Sequence, residues 1–203
     1  MLNEIFNKLN ELFPDAHCEL NYHNIYELAV SVILSAQTTD ERVNLVTPTL
    51  FEKYPTVEAL SNALVSDVEE IIHSVGLYQT KAKNIINFSK QVISEFNGII
   101  PNTLEELITL PGIGRKTANV ILFVGYGLPG LAVDTHVSRV SKRLGLVEED
   151  DDVLAIELKL KKMFDEKDWG TLHHSLLFFG RYLCKAQKPM CEKCPFINIC
   201  TKK

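Results

Sequence analysis

The sequence predicts an all-α protein, and three observations lead to that conclusion. Apolar residues recur at spacings of three and four along several segments, most regularly over residues 81–96. Capping residues such as Thr103 and Asp152 stand just before such segments. No run of alternating polar and apolar residues, typical of a half-buried strand, occurs. About ten helices are expected, without repeats or low-complexity linkers.

The helices of the N-terminal half follow from their apolar pattern. Residues 2–13 form an amphipathic helix that stops before Pro14. Residues 25–37 are apolar nearly all round, which indicates a buried central helix. Over residues 81–96, one apolar stripe predicts an amphipathic helix.

The helices of the C-terminal half follow from their caps. Thr103 with Glu106 forms a capping box that opens a short helix running to Leu110. The next helix covers residues 116–124 and is closed by glycines. Two later helices are expected to begin at the caps Asp134 and Asp152.

Length and composition exclude several classes of protein. The chain has 203 residues, 46% hydrophobic and 23% charged, which is ordinary for a folded globular protein and excludes a disordered, collagenous or coiled-coil chain. The apolar runs are far shorter than the ~18 residues of a membrane span. The first residues do not resemble a signal peptide. We therefore expect a soluble cytoplasmic protein.

Charge is unevenly distributed along the chain, although the formal net charge is −5. Residues 1–110 carry 6 Lys and Arg against 15 Asp and Glu, and residues 147–168 carry 4 against 9. Residues 111–146 instead carry 5 bases against one acid, and residues 169–203 carry 6 against one. Two basic segments on an acidic body suit a polyanion bound on one face, or a solvated surface of uneven charge.

The segment Leu110-Pro-Gly-Ile-Gly114 joins two short helices through a turn with two glycines. Glycine lets another backbone approach closely, and the second helix presents free N–H groups that can face a phosphate. This pattern is typical of a helix-hairpin-helix, although a simple helix–helix turn fits it too. A phosphate-binding loop is excluded because its glycine–lysine spacing and its preceding strand are missing, and a dinucleotide-binding fingerprint is excluded because no strand precedes the turn.

Two residues near this turn can carry chemistry. Lys116 lies in the first turn of a helix, where the helix dipole disfavours a cation, and an amine must be uncharged to attack carbon. Asp134 precedes a helix beginning near Val137, so it could also act simply as its N-cap. His136 is expected to pack or cap.

Four of the five cysteines fall within 17 residues, at positions 184, 191, 194 and 200. A chain without a secretory signal is not expected to form disulfides, and clustered thiols then usually hold a metal or a cluster. Zinc sites tend to pair two Cys-x-x-Cys units, whereas only Cys191 and Cys194 have that spacing here. Cys18 stands alone and is expected to be a small buried hydrophobic residue.

Taken together, these motifs resemble the endonuclease III family of DNA glycosylases. The resemblance is carried by Leu110–Asn119, Val133–His136 and the four-cysteine loop, and it extends to Leu34–Asp40 and Val75–Tyr78. It implies a helix-hairpin-helix DNA glycosylase fold, with two helical domains flanking a DNA-binding cleft. A six-helix domain would span residues 22–131. Residues 1–21 with 132–203 would form the second domain, including a cluster loop at 184–200.

The resemblance also implies a cofactor and a reaction. Cys184, Cys191, Cys194 and Cys200 would hold a 4Fe-4S cluster. Lys116 would attack C1′ of a flipped nucleotide and expel an oxidised pyrimidine, assisted by Asp134. The resulting Schiff base would permit β-elimination, so the enzyme would be both a DNA glycosylase and an abasic-site lyase.

The resemblance further implies how DNA is held. Gln37 would fill the space vacated by the flipped base, and Leu77 would wedge between the opposite bases; the alternatives are a helix-terminal polar residue and a core leucine. The hairpin would bind the DNA backbone through Pro111, Gly112, Gly114 and Arg115. The expected partner is double-stranded DNA with damaged bases or abasic sites, bound by a nucleoid-associated monomer without membrane contact.

Four other functions agree with parts of the same pattern. An adenine glycosylase of the same fold usually lacks the hairpin lysine and has a catalytic glutamate in an early helix, where this chain has Ser35-Ala-Gln37. A thymine-mismatch glycosylase of related sequence is a further alternative, which a panel of substrates would distinguish. A non-catalytic DNA-binding module would be expected to lose Lys116 or Asp134, and both are present. An electron-transfer protein is disfavoured because the cysteines end a chain otherwise built like a DNA enzyme.

Overall fold

The computed structural model describes residues 2–201, and these residues contain helices but no strand. The prediction of an all-α protein is therefore confirmed. None of the helices within this range is long and apolar enough to cross a membrane. Lys202 and Lys203, which contribute to the second basic segment, lie outside the described residues.

The chain divides into two compact units. One unit is continuous and spans Glu19–Leu128. The other combines the N-terminal segment through Cys18 with the chain from Pro129 onward. These boundaries fall three residues before those expected from the resemblance, at 22 and 131.

The continuous unit is built around a central helix. Its helices are α2 (Ile25–Ser35), α3 (Asp40–Lys53), α4 (Val57–Ser61), α5 (Val65–Ile72), α6 (Tyr78–Phe96), α7 (Leu104–Leu107) and α8 (Arg115–Val120). Eight of the eleven residues of α2 are buried, as the all-round apolar pattern predicts. Helices α3, α6 and α8 pack against it, and α4 and α5 pack against α6. A π-helical turn, Ile121–Gly125, continues α8.

The discontinuous unit holds a second core. Its helices are α1 (Leu2–Leu12), α9 (Thr135–Arg143), α10 (Val153–Met163) and α11 (Trp169–Phe178), followed by a π-helical turn at Phe179–Leu183. Short 3-10 turns lie at Glu166–Asp168 and Cys191–Lys193. Helix α11 contacts α1 and α9, and α10 contacts α9. Leu9, Val140, Leu160, Leu176 and Phe179 are fully buried in this core.

Candidate functional site

Helices α7 and α8 form a hairpin around the Leu110–Gly114 turn. Thr103 caps α7, as predicted, by accepting a hydrogen bond from the Glu106 N–H (3.3 Å). The Glu106 carboxylate accepts a hydrogen bond from the Thr103 hydroxyl (2.6 Å). Helix α7 ends at Leu107, three residues earlier than expected. The turn itself is anchored by Leu110 and Ile113, which are buried and joined by a 3.1 Å backbone hydrogen bond.

Gly112 occupies a position that another residue could not easily take. Its φ is +80°, in the left-handed region that favours glycine. A Cβ at this position would lie 3.0 Å from Ile33 Cγ2 and 3.1 Å from Asn84 Cβ. The first glycine of the motif is therefore required both by its backbone conformation and by the packing of the turn against α2 and α6.

The start of α8 faces open space. Gly114 is the N-cap residue, its backbone is extended, and a Cβ built on it would meet no heavy atom within 4 Å. Arg115 and Lys116 follow in the first turn, and both are exposed, whereas the next four residues of the helix are buried. The hairpin thus presents backbone N–H groups and two cationic side chains on one accessible edge.

Asp134 lies in the discontinuous unit at the start of α9. Its Oδ1 accepts a 2.8 Å hydrogen bond from the Val137 N–H, so the predicted N-cap is present. The second carboxylate oxygen, Oδ2, does not take part in this cap. The side chain is half-buried, which leaves it accessible from one side.

The segment that carries Asp134 is held from both sides. Leu131, Ala132 and Val133 are buried directly before it, and the His173 ring lies 2.7 Å from the Ala132 carbonyl oxygen through Nδ1. One turn into α9, Arg139 donates to the Gly180 carbonyl oxygen (2.8 Å) and lies 3.2 Å from His136 Nδ1. Buried residues before Asp134 and hydrogen bonds after it therefore fix the backbone that carries this carboxylate.

Gln37 and Leu77 both adopt left-handed backbone conformations, with φ of 54° and 58°. Gln37 is exposed and lies two residues beyond the end of α2, so the predicted helix over 25–37 ends early. The reason is a turn closed by the Thr38 N–H and the Ser35 carbonyl oxygen (3.1 Å). Leu77 is 62% exposed, so the alternative interpretation of a core leucine is wrong.

The four clustered cysteines line one cavity of about 340 Å³. None is in a disulfide, and Cys18, outside the cluster, is half-buried rather than buried. Burial, and to a smaller extent the neighbouring thiols of Cys184, Cys191 and Cys200, raise the pKa of Cys194. The remaining lining is largely apolar: Leu183, Pro189, Met190 and Ile197. Within residues 2–201, no group of three or more potential ligands converges closely enough for one metal ion.

Arg143 also lines the cavity and donates hydrogen bonds to Cys184 Sγ (3.3 Å) and to the Lys185 carbonyl oxygen (2.8 Å). Donors to sulfur are typical of iron–sulfur sites. The exposed side chains of Lys185, Lys188 and Lys193 lie on the same loop.

Comparison with known proteins identifies the family. A model of the HhH-GPD superfamily of base excision DNA repair proteins matches residues 30–166. Endonuclease III of Bacillus subtilis is 49% identical over 193 residues, which cover 95% of this chain and 88% of that protein. Endonuclease III of Escherichia coli is 39% identical over 200 residues, covering 98% and 94%. The chain belongs to the endonuclease III family.

Solved structures agree with this family assignment. A trapped covalent intermediate of endonuclease III with DNA, an estranged-adenine complex, matches with a TM-score of 0.95 and 46% identity, over 99% of this chain and 96% of that one. A thermostable thymine-DNA glycosylase matches with a TM-score of 0.88 but only 20% identity, so it shares the fold alone. As an endonuclease III family member, the chain is a base-excision repair enzyme that binds DNA, a DNA glycosylase and abasic-site lyase for oxidised pyrimidines.

Sequence reasoning missed one residue near the site of this family member. Lys81 is only 4% exposed, and its ammonium group donates to the carbonyl oxygens of Leu34 (2.7 Å) and Ala36 and to Thr38 Oγ1 (3.0 Å). Burial lowers the pKa of Lys81. A signal was available, because Lys81 occupies the apolar stripe of α6 one turn before Ile85.

Proposed function

We propose that this endonuclease III family member removes an oxidised pyrimidine by attack of Lys116 on the sugar of the damaged nucleotide. The Lys116 nitrogen forms a bond to C1′ while the bond from C1′ to the base nitrogen breaks, and the base leaves with that electron pair and takes up a proton. Asp134 activates the lysine and stabilises positive charge on the sugar. The position of Lys116, exposed in the first turn of the hairpin helix, carries this proposal.

Strand cleavage follows from the covalent link. Opening of the sugar ring gives an imine between Lys116 and C1′, which acidifies the proton on C2′. Loss of that proton expels the phosphate oxygen from C3′, so the strand is cut on the 3′ side of the abasic sugar. Hydrolysis of the imine returns the lysine.

DNA is held by its backbone and opened by two side chains. Pro111, Gly112, Gly114 and Arg115 of the hairpin are proposed to bind phosphates without reading bases. The target sugar is unreachable inside a stacked duplex, so the damaged nucleotide must be flipped out. Gln37 then fills the vacated space and Leu77 wedges between the opposite bases. Their exposure on left-handed backbone supports these roles.

The four cysteines of the cavity are proposed to hold a 4Fe-4S cluster. The cluster would supply a rigid link between the ends of the loop, and the base-excision steps above do not require its redox chemistry. The four cysteines that line the cavity and the hydrogen bond from Arg143 to Cys184 Sγ support this assignment. Visible absorbance tests it directly: a yellow-brown protein is expected, and a colourless protein loaded with zinc would contradict it.

The substrate is proposed to be double-stranded DNA with damaged bases or abasic sites, bound by a monomer. The cellular location that fits this substrate is the cytoplasm, on the nucleoid. Binding would depend on the two basic segments of the otherwise acidic chain.

Borohydride trapping tests the proposed nucleophile. Reduction of the imine should link the protein covalently to a duplex with one abasic site, and Lys116→Gln should abolish this product. Lys90→Gln is the matched control, because Lys90 is an exposed lysine in the same unit and lies on α6 rather than on the hairpin. Full trapping by Lys116→Gln would contradict the proposal.

A further inference from the structure

The two side chains proposed to enter the duplex lie on adjacent segments of one unit. Gly76, directly before Leu77, packs against the segment that contains Gln37: a Cβ on Gly76 would lie 3.3 Å from the Gln37 carbonyl oxygen and 3.4 Å from Thr38 Oγ1. Both Gln37 and Leu77 have positive φ, and neither is a glycine or an asparagine. Such conformations persist only where the surroundings enforce them.

Lys81 connects these two segments. Its own backbone N–H donates to the Leu77 carbonyl oxygen (3.0 Å), so Lys81 lies one turn into α6, of which Leu77 is the N-cap residue. Its ammonium group reaches across to the other segment and donates to acceptors on either side of Gln37, namely Ala36 and Thr38. A third bond goes to the Leu34 carbonyl oxygen.

The three bonds use the full donor capacity of the ammonium group. All three acceptors are uncharged, so the buried cation has no carboxylate partner among them. Burial lowers the pKa of Lys81, which reflects an unfavourable environment for its charge. An apolar side chain would fill this position of the α6 stripe at less electrostatic cost. The lysine is thus explained by the geometry it fixes rather than by core stability.

We infer that Lys81 is a positioning residue that fixes Gln37 and Leu77 together in the arrangement needed to enter the DNA duplex. This inference rests on the roles proposed above for those two residues. Lys81 does not touch the reacting atoms; it acts through the two segments that it joins. Its loss should therefore affect substrates in which a base stack must be opened more than substrates that have none.

Strand cleavage on paired and unpaired DNA tests this role. The variant Lys81→Met keeps the apolar stem and removes the donors, while Lys90→Met removes an exposed charge from the same helix. The substrates are a duplex with one abasic site opposite adenine, and the same abasic strand unpaired. Lys81→Met should lower kcat/KM on the duplex by roughly tenfold or more and stay within about twofold of wild type on the single strand, since misplacement of positioning groups acts only where they are used. Lys90→Met should match wild type on both.

Two further variants keep the test decisive if Lys81→Met does not fold. Thr38→Val removes one acceptor with little change of shape, and should show a smaller loss that is again confined to the duplex. Lys81→Arg keeps donors at this position and should recover part of the duplex activity. A 2-aminopurine opposite the abasic site gives an independent readout: wild type should raise its fluorescence by unstacking it, and Lys81→Met should not.

The possible outcomes separate this inference from the proposed function. Equal losses on duplex and single strand would show a general structural role and overturn the inference. Wild-type duplex activity and fluorescence in Lys81→Met would also overturn it. If the wild-type protein cleaved neither substrate, the proposed lyase chemistry would fail first, and this inference with it.

Discussion

Replacing Gly112 by alanine is expected to destabilise the continuous unit, whereas the same change at Gly114 is not. The backbone of Gly112 is left-handed, which costs a non-glycine residue about 1–2 kcal/mol. The added Cβ would lie 3.0 Å from Ile33 Cγ2 and 3.1 Å from Asn84 Cβ. Overpacking of this kind costs about 1–3 kcal/mol. The expected loss in the free energy of unfolding is therefore about 2–5 kcal/mol.

Gly114 provides the matched control two residues away. Its backbone is extended, and a Cβ there would meet no heavy atom within 4 Å. Alanine is a poorer N-cap than glycine, but it also reduces the freedom of the unfolded chain, and the two effects of about 0.5 kcal/mol oppose each other. Stability should stay near wild type. Affinity for abasic DNA should fall, because the methyl group would occupy the space proposed for a phosphate.

Thermal unfolding followed by circular dichroism measures the first effect, and fluorescence anisotropy with a labelled abasic duplex measures the second. For a chain of this size, about 2–5 kcal/mol corresponds to a decrease in Tm of roughly 5–20 °C. The reasoning would be refuted if Gly112→Ala unfolded at the wild-type temperature, or if Gly114→Ala unfolded as early as Gly112→Ala.

Three further predictions concern the Asp134 carboxylate, binding to the DNA backbone, and a half-buried histidine. Asp134→Asn should keep the α9 cap and the wild-type Tm but lower the rate of strand cleavage about 100-fold or more. As a control, Asp152→Ala removes the α10 cap, so it should lower the free energy of unfolding by about 1 kcal/mol and leave cleavage unchanged. A wild-type cleavage rate in Asp134→Asn would exclude a catalytic role for this carboxylate. The logarithm of the DNA association constant should fall linearly with the logarithm of salt concentration, by a slope of about −0.9 per neutralised phosphate, and a slope near zero would contradict binding through the basic segments. Burial lowers the pKa of His174 from 6.5 to about 3 in the folded protein. Between these two pH values His174 is protonated in the unfolded chain but not in the folded one, so the free energy of unfolding should decline as the pH falls from 6.5 towards 3. His174→Gln should flatten this decline in urea titrations, and an unchanged pH profile would show that another group causes it.

The features that the sequence predicted well depend on neighbouring residues. Asp134 and Asp152 cap their helices with hydrogen bonds of 2.8 Å and 2.7 Å to N–H groups three residues ahead. Thr103 caps α7 by accepting a hydrogen bond from the Glu106 N–H, three residues ahead. Each of these motifs is decided within one helical turn, so the residue types at fixed spacing are sufficient.

The features that the sequence did not predict depend on distant residues. The acceptors of Lys81 lie 43 to 47 residues before it, and nothing in the local pattern of α6 specifies them. The π-helical turn at Ile121–Gly125 lies where the sequence predicts the ordinary helix over residues 116–124. Such turns arise from packing constraints that local helix propensity does not encode, and they occur often at functional sites.

Positions that violate local preferences are concentrated where DNA is proposed to bind. Among residues 2–201, four non-glycine residues have positive φ: Gln37, Leu77, Asn97 and Lys188. Asn97 follows α6 as a left-handed cap, a conformation that asparagine tolerates. Lys188 lies in the cysteine loop, and the remaining two are the residues proposed to enter the duplex. Lys116 adds a cation in the first turn of a helix. The strained backbone at Gln37 and Leu77 costs stability locally and is held by contacts within the protein, such as those of Lys81 on either side of Gln37. Strain kept at these two positions therefore agrees with the role proposed for them in DNA binding.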